Sequence, residues 1–353
     1  MLTKFWEGVG SGLADKFLSR LFTPALLFWA TGAVAWLFSG IGPGDPRQSV
    51  TLLGRAASAL VGLSGTLQLA ALVGAAFLLI ASALAAEQLT LPLLRVLEGY
   101  YWPPRLAARV RARHERRRAR MHERWESLVR QAAHGVLDPD LAMELADLEE
   151  SLRRVPESAQ LVMPTRLGNI LRAAEERPSV KYGLDVAVCW PMLWLQLDKD
   201  TREEVANARS ALNGSVTLLL WAVLSLVWTP LAWWVVPLAL GVALAVYYVP
   251  ILSSAQVYGD LMGAVFDLRR TCLYDALRWP LPATPAGERK DGRALTMYLW
   301  RGIAPAGARF CPELPPVLVP EAVGSAAAGG ADDQAAGWKP GTGLRRRPWT
   351  ECG

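Results

Sequence analysis

The feature that most constrains this chain is a run of 50 residues, 210–259, without Asp, Glu, Lys or Arg. As a single helix it would be about 75 Å long, more than twice the roughly 30 Å hydrocarbon thickness of a bilayer. The chain must therefore turn back, and the Thr-Pro step at 229–230 is the expected corner because the residue before proline avoids helical geometry. Trp228, Trp233 and Trp234 flank this corner as an interfacial aromatic belt. The sequence predicts two membrane spans joined by a tight turn.

Two further apolar stretches predict a first hairpin over residues 21–95. The apolar part of the first, 21–38, contains 18 residues, which as a helix is about 27 Å long and just enough for the hydrocarbon core. The second, 56–86, contains 31 residues without a charge, and a loop rich in Gly and Pro separates the two. With a second hairpin over 210–257, the sequence predicts an all-α protein with four transmembrane helices arranged as two hairpins.

The distribution of basic residues predicts the orientation of these hairpins. Residues 105–130 contain ten Arg against three acids, whereas the loops on the opposite side carry only Arg47 and Arg55 as basic residues. The positive-inside rule then places both termini and the region between the hairpins in the cytoplasm. The Arg-rich and Ala-rich composition suggests a GC-rich bacterial genome. We therefore expect a multi-pass protein of the inner (cytoplasmic) membrane.

The remaining segments are assigned from composition and periodicity. Residues 1–20 have apolar side chains every fourth position and predict an amphipathic helix on the inner membrane surface. Residues 96–209 predict a helical cytosolic domain, and 258–280 a cytosolic helix that continues the last span. Pro, Gly and Ala dominate 281–353, which predicts a flexible, disordered tail because such a composition buries too little apolar surface.

Capping residues mark two helices within the cytosolic domain. Asp138 precedes a run of Leu at helical spacing that ends near Arg153, which suits the helix dipole. Thr165 is placed to cap a second helix, which we expect to continue through Glu176 and to end at Pro178.

The apolar segment 186–197 is too short to span a bilayer. It contains 12 residues between two aspartates, and we expect it to be a buried core segment of the cytosolic domain. The alternative is a membrane-docking element that uses Trp190 and Trp194.

The second predicted span contains two sets of candidate residues. Small side chains let helices approach closely in lipid, so a stripe of small residues predicts a helix-packing face, within the chain or between subunits. Gln68, with Ser64 one turn earlier, is polar and must face protein or water, so it either hydrogen-bonds a neighbouring helix or lines an oligomeric pore with Ser64. The stripe consists of Ser58, Gly62, Thr66, Ala70 and Gly74.

An arginine-rich run directly follows the first hairpin. Each Arg next to an anionic membrane contributes about 1 kcal/mol of attraction, so the run predicts contact with anionic lipid or with a partner. The alternative is a solvated face that only determines topology. We do not expect nucleic-acid binding, because no recognised fold motif accompanies the run. The candidate contact residues are Arg109, Arg113, Arg116, Arg117, Arg120 and Arg124.

Motifs for catalysis, metal binding or cofactor binding do not occur in the sequence. There is no nucleotide-binding glycine motif, no HExxH and no GxSxG. The four cysteines are far apart and the three histidines have no cysteine nearby, so no metal site is predicted. We therefore expect neither a cofactor nor enzymatic activity. A membrane-bound enzyme acting on lipid would have to rely on Asp185, Glu175 and His134, whose spacing singles out no reaction.

One part of the cytosolic region resembles known sequences. The segment PTRLGNILRAAE at 164–175, with KYGLD at 181–185 and Trp190-Pro191, resembles segments of multi-pass membrane proteins from GC-rich, actinobacterial-type genomes. That resemblance implies a membrane protein and no particular activity. The plan of hairpin, cytosolic domain and hairpin is also similar to that of bestrophin-type anion channels, in layout alone.

These observations favour a non-enzymatic inner-membrane protein whose basic cytosolic helical domain contacts a partner or the anionic membrane surface. The expected partners are anionic lipid headgroups, a cytosolic protein and further copies of the chain. The main alternative is a homo-oligomeric ion channel or pore lined by the second transmembrane helix. A lipid-acting membrane enzyme is the third.

Overall fold

The computed structural model describes residues 24–36, 64–135 and 138–311, together with the single positions 54, 58 and 62. Throughout these residues the protein is all-helical and contains no strand, which confirms the predicted class. The helices are α1 (Pro24–Trp36), α2 (Gly65–Glu98), α3 (Pro104–His134), α4 (Pro139–Arg153), α5 (Arg166–Tyr182), α6 (Val186–Gln196), α7 (Lys199–Leu224), α8 (Val235–Val246), α9 (Leu252–Leu277) and α10 (Pro285–Arg301).

Three helices in the described part of the chain are long and apolar enough to cross a membrane, whereas the sequence predicts four. They are α2, α7 with its extension to Trp228, and the continuous helix Val235–Leu277, in which a π-helical segment (Tyr247–Ile251) joins α8 to α9. The predicted span 21–38 is described only as α1, Pro24–Trp36. As a helix this segment is about 20 Å long, short of the roughly 30 Å that a span requires.

The charge-free run 210–259 does fold back on itself. After α7 the chain forms a short 3₁₀ helix, Ser225–Trp228, and turns before α8 begins at Val235. Leu212 and Leu219 of α7 share a buried cluster with Leu252 of α9, so the two helices run antiparallel on either side of the turn. The turn includes the Thr-Pro step, but Thr229 itself has helical dihedral angles (φ −53°, ψ −39°), so the predicted reason for a corner there is wrong.

The last turns of α2 pack against α7, and α1 packs beside both. The hydroxyl oxygens of Thr90 and Thr217 lie 2.9 Å apart between α2 and α7. The indole of Trp29 donates to Ser82 Oγ at 3.3 Å, which joins α1 to α2. The first half of α2, residues 65–78, is exposed along its whole length in the described chain.

Helix α5 is the element that joins the apolar helices to the rest of the protein. Its first turn is capped as the sequence predicts, because Thr165 Oγ1 accepts from Gly168 N at 2.9 Å. The predicted end at Pro178 is wrong, since the helix continues to Tyr182 with Pro178 inside it. The end is set instead by Gly183, whose φ of 74° closes the last turn in the left-handed region. Helix α4 spans Pro139–Arg153, as Asp138 and Arg153 predict.

Helices α5, α6, α9 and α10 form a second packed region, which we call the C-terminal body. Cys189 and Leu193 of α6 pack against Phe266 of α9 and Leu295 of α10. One face of the segment 186–197 is therefore part of a core, whereas Met192 and Leu195 on its other face are 37% and 73% exposed. Burial raises the pKa of the Cys189 thiol to about 11, so this thiol stays protonated.

The predicted flexible tail, 281–353, begins with a helix. Thr284 Oγ1 accepts from Gly287 N at 3.2 Å and caps α10. Gly292 then lies so close to α5 that a Cβ there would be 1.9 Å from the carbonyl oxygen of Tyr182. Composition alone does not predict this helix, because its order depends on close backbone contact with α5. Residues 312–353, and the amphipathic helix predicted at 1–20, lie outside the described residues.

Side-chain charges fasten the helices of the C-terminal body to each other. Lys181 Nζ lies 2.9 Å from both carboxylate oxygens of Asp267, and the Tyr182 hydroxyl donates to Asp267 at 2.6 Å. The hydrogen bond to Asp267 raises the pKa of Lys181. Arg270 of α9 donates to Glu288 of α10 at 2.5 Å. Lys181 and Arg270 in this region are therefore bound to carboxylates.

Candidate functional site

The basic run of the sequence forms one helix of a two-helix arm, residues 104–153. Helix α3 begins with Pro104 at its first position, where the missing N–H costs nothing, and it packs on α4. Arg124 donates to both carboxylate oxygens of Glu144 at 2.7 Å, and Trp125 Nε1 donates to Glu149 at 3.2 Å. Few arm residues are buried: Ala107 and Leu128 in α3 and none in α4.

The six arginines predicted as contact residues share one face of α3. At about 100° per residue their positions fall within roughly 100° of arc. We call them the arginine face, and all six are exposed: Arg109, Arg113, Arg116, Arg117, Arg120 and Arg124. Arg111 and Arg118 lie on the other side of the helix, roughly 100° or more from the arc, whereas Arg130 lies only about 40° outside its edge.

Most of the charge on the arginine face is not neutralised within the described chain. Arg124 is bound to Glu144, and this hydrogen bond raises the pKa of Arg124 and lowers that of Glu144. Arg116 and Arg120 donate through Nε to backbone carbonyls one turn earlier, at 3.1 and 3.4 Å. No carboxylate in the described residues lies within 4.0 Å of a guanidinium nitrogen of the other face arginines, Arg109, Arg113 and Arg117.

The arm meets the apolar helices at the start of α5. His114 is half-buried on α3, near the backbone carbonyl of Pro164. Burial lowers the pKa of His114, and the guanidinium groups of Arg117, Arg166 and Arg113 lower it further. These four basic side chains, Arg113, His114, Arg117 and Arg166, are called the basic junction below.

The basic junction adjoins an apolar surface. The guanidinium of Arg166 lies over the ring of Tyr248, 5.7 Å from its centroid. Tyr248 is 13 residues beyond Val235, so by helix rise it lies about 20 Å along the candidate span from the turn. Next to it, Leu244 and Val249 are 59% and 67% exposed. A cationic cluster therefore lies directly beside exposed aliphatic side chains.

The helix-packing stripe of α2 is not covered by the described chain. Thr66, Ala70 and Gly74 are exposed, as are the single described positions Ser58 and Gly62. A Cβ added at Gly74 would meet no atom within 4 Å. Close packing of this stripe remains a prediction, in which the packing partner is either a part of the chain outside the described residues or another copy of the chain.

The two candidate pore-lining residues lie next to each other at the start of α2. Ser64 Oγ is 3.1 Å from Thr66 Oγ1, and the backbone N–H of Gln68 donates to the Ser64 carbonyl at 3.0 Å. Both residues are exposed in the single chain.

The residues considered for lipid chemistry make separate local contacts. Asp185 accepts from Ala187 N at 2.8 Å and caps α6, whereas Glu175 binds Arg172 at 2.9 Å. His134 is exposed at the end of α3. In the part of the chain that the structure describes, no group of three or more His, Cys, Asp or Glu could hold a metal ion.

Sequence reasoning missed Arg166 and Tyr248. Thr165 signals that a helix begins at Arg166, which predicts exposure of that side chain in the first turn. Its neighbours come from residues about 50 and 80 positions away, and one sequence carries no signal for that contact.

The class of the protein follows from its long helices. With three helices able to cross a bilayer and a largely exposed apolar surface on α2, the chain is a membrane protein. No family model, no curated protein and no solved structure matches it. Its function must therefore be argued from its own residues.

Proposed function

We propose that this is a non-enzymatic, multi-pass inner-membrane protein whose arm binds anionic lipid headgroups on the cytoplasmic surface. The observation that carries the proposal is the arginine face: six exposed arginines on one side of α3, of which one is bound to a carboxylate in the described residues. Such a face attracts anions of any kind, and the position of the arm favours lipid.

The arm starts close to the end of a candidate span. Only five residues, 99–103, separate the last residue of α2 from Pro104. Trp102 Nε1 donates to the Val96 carbonyl at 3.0 Å, and Tyr101 is 70% exposed. Tyr and Trp at a helix end are typical of the headgroup level. The first turns of α3 therefore begin within reach of phosphates.

The expected strength of this contact follows from the charge. Each arginine near an anionic surface contributes about 1 kcal/mol, and the attraction falls off within a Debye length of about 8 Å at physiological salt. Five arginines without a carboxylate partner could contribute a few kcal/mol in total. That is enough to hold an arm with few buried residues against the surface.

The proposal is tested by hydrogen exchange of the full chain in nanodiscs that contain phosphatidylglycerol. We expect Arg109→Gln with Arg120→Gln to speed exchange across α3. The charge-matched control, Arg111→Gln with Arg118→Gln, should leave it nearly unchanged because those side chains lie on the side of α3 opposite to the arginine face. Equal effects of the two double variants would refute binding through this face. If exchange in α3 stays slow in both double variants, and also in detergent without lipid, the result would favour a contact with protein instead of lipid.

A further inference from the structure

The basic junction concentrates positive charge from two separate helices. Arg113 and Arg117 come from α3, whereas Arg166 is the first residue of α5. Besides burial, all three guanidinium groups lower the pKa of His114, which lies on α3 near the Pro164 carbonyl. Their charges therefore add to a local positive potential that attracts an anion.

The described chain supplies no such anion. No carboxylate oxygen in these residues lies within 4.0 Å of the guanidinium nitrogens of Arg113, Arg117 or Arg166. In the C-terminal body, by contrast, Lys181 and Arg270 each meet a carboxylate. The exposed guanidinium groups of the junction are therefore available to an anion from outside this part of the chain.

The surroundings of Arg166 indicate what kind of anion fits. Its guanidinium lies over Tyr248, on the flank of a helix long and apolar enough to cross a membrane. A charged side chain at such a place is costly unless it meets water, a headgroup or another charge. The phosphate of a phospholipid is the anion that a bilayer itself supplies, and guanidinium binds phosphate through two parallel hydrogen bonds.

The adjoining surface suits the rest of a lipid. Leu240 and Leu244 lie two turns and one turn before Tyr248 at i, i+4 spacing, are 52% and 59% exposed, and form an apolar strip along the helix. An acyl chain can lie along such a strip, whereas free inorganic phosphate makes no use of it. The guanidinium carbon of Arg166 lies 5.7 Å from the centroid of the Tyr248 ring, and no carboxylate in the described residues is paired with its N–H groups.

We infer that the basic junction binds the phosphate of one anionic phospholipid, with an acyl chain along the strip of Leu240 and Leu244. Arg166 donates to the phosphate, and Arg113 and Arg117 supply further positive charge. The inference rests on the proposed function for placing the arm at the headgroups. It adds a single site, with one lipid per chain, to a diffuse surface attraction.

The site is tested by native mass spectrometry of the full chain titrated with phosphatidylglycerol, with phosphatidylcholine of the same acyl chains, or with inorganic phosphate. We expect one phosphatidylglycerol per chain, at least tenfold tighter than phosphatidylcholine. Arg166→Gln should weaken it about tenfold, whereas Arg111→Gln should not. Equal retention by both variants would overturn the inference. Equally tight inorganic phosphate would overturn its assignment to lipid.

Two further variants keep the test decisive. If Arg166→Gln fails to fold by circular dichroism, Arg117→Gln serves in its place and should weaken the one-to-one complex. Arg109→Gln with Arg120→Gln should retain the bound lipid, because neither side chain belongs to the basic junction. If every junction variant retains the single lipid while exchange in α3 still slows in anionic nanodiscs, this inference fails and the proposed function stands. Loss of the α3 response alone would refute the proposed function and leave the single-lipid site intact.

Discussion

The C-terminal body and the arm with its basic junction differ in whether their basic side chains are paired with carboxylates. In the body Lys181 binds Asp267 at 2.9 Å, and Arg270 binds Glu288 with side chains only 24% and 16% exposed. In the arm most arginines of the face point outward without a carboxylate partner in the described chain. The difference separates cations that hold helices together from cations that remain available to a ligand.

The two regions also differ in how tightly the backbone is packed. Gly292 faces the Tyr182 carbonyl across a gap in which no Cβ fits, whereas a Cβ at Gly135, at the end of α3, would meet nothing within 4 Å. The body is therefore sensitive to added volume, and the arm is tolerant of it.

The largest effect is expected from adding one methyl group to each region. Gly292→Ala should destabilise the protein by about 3 kcal/mol, because backbone must move to admit the Cβ. Gly135→Ala should change stability by less than about 0.5 kcal/mol. Thermal unfolding in detergent, followed by tryptophan fluorescence, measures both. Similar shifts for the two variants would break the contrast between the regions.

Much of the fold follows from the sequence, and the exceptions have physical causes. Thr165 locates the start of α5 because capping is local, and Asp138 locates the start of α4 although its side chain makes no capping hydrogen bond. Pro178 does not mark the end of α5, because this helix accommodates the buried proline and ends later at Gly183. Helix α10 was missed because its order depends on the contact at Gly292.

The candidate site shows the same division between local and tertiary information. Helical spacing alone places the six arginines on one face, and the structure shows all of them exposed. The junction with Arg166 and Tyr248 depends on how α3, α5 and the apolar helices meet. No local pattern encodes that meeting point.

The second effect sharpens the comparison by removing one charge from each region. Arg270→Gln should cost about 2 kcal/mol, because it leaves Glu288 poorly paired and removes the stacking of Arg270 over Tyr182. Arg117→Gln should instead stabilise the lipid-free protein by about 0.2–0.5 kcal/mol, since it relieves repulsion with Arg113 one turn away. Unfolding midpoints in detergent test the opposite signs. A clear loss of stability in Arg117→Gln would mean that Arg117 is paired.

The smallest effect is a pH dependence that arises at the junction. The carbonyl of Pro164 and the charges of Arg113, Arg117 and Arg166 face His114, and its pKa is lowered from the ordinary 6.5. The unfolded chain has the ordinary pKa, so it takes up the proton at a higher pH than the folded protein does. The contribution of His114 to stability is therefore full above pH 6.5 and is lost as the pH falls towards the lower pKa of the folded state. Thermal unfolding in zwitterionic lipid between pH 7.5 and 5.5 should show this loss.

Variants of single histidines identify the source of that loss. His114→Gln should flatten the pH dependence, whereas the exposed His134→Gln should leave it unchanged. Anionic lipid should reduce it in the unsubstituted protein, because a bound phosphate stabilises the imidazolium. An identical profile for His114→Gln and the unsubstituted protein would show that His114 does not titrate in this range.

The central claim is that the unpaired arginines of the arm contact anionic headgroups. The most direct measurement compares hydrogen exchange of residues 104–124 in phosphatidylglycerol and phosphatidylcholine nanodiscs, at about 0.1 M and about 1 M salt. Exchange should be slower with phosphatidylglycerol at low salt, and the difference should largely vanish at high salt, where the Debye length is about 3 Å. Identical exchange in the two lipids at low salt would contradict the account.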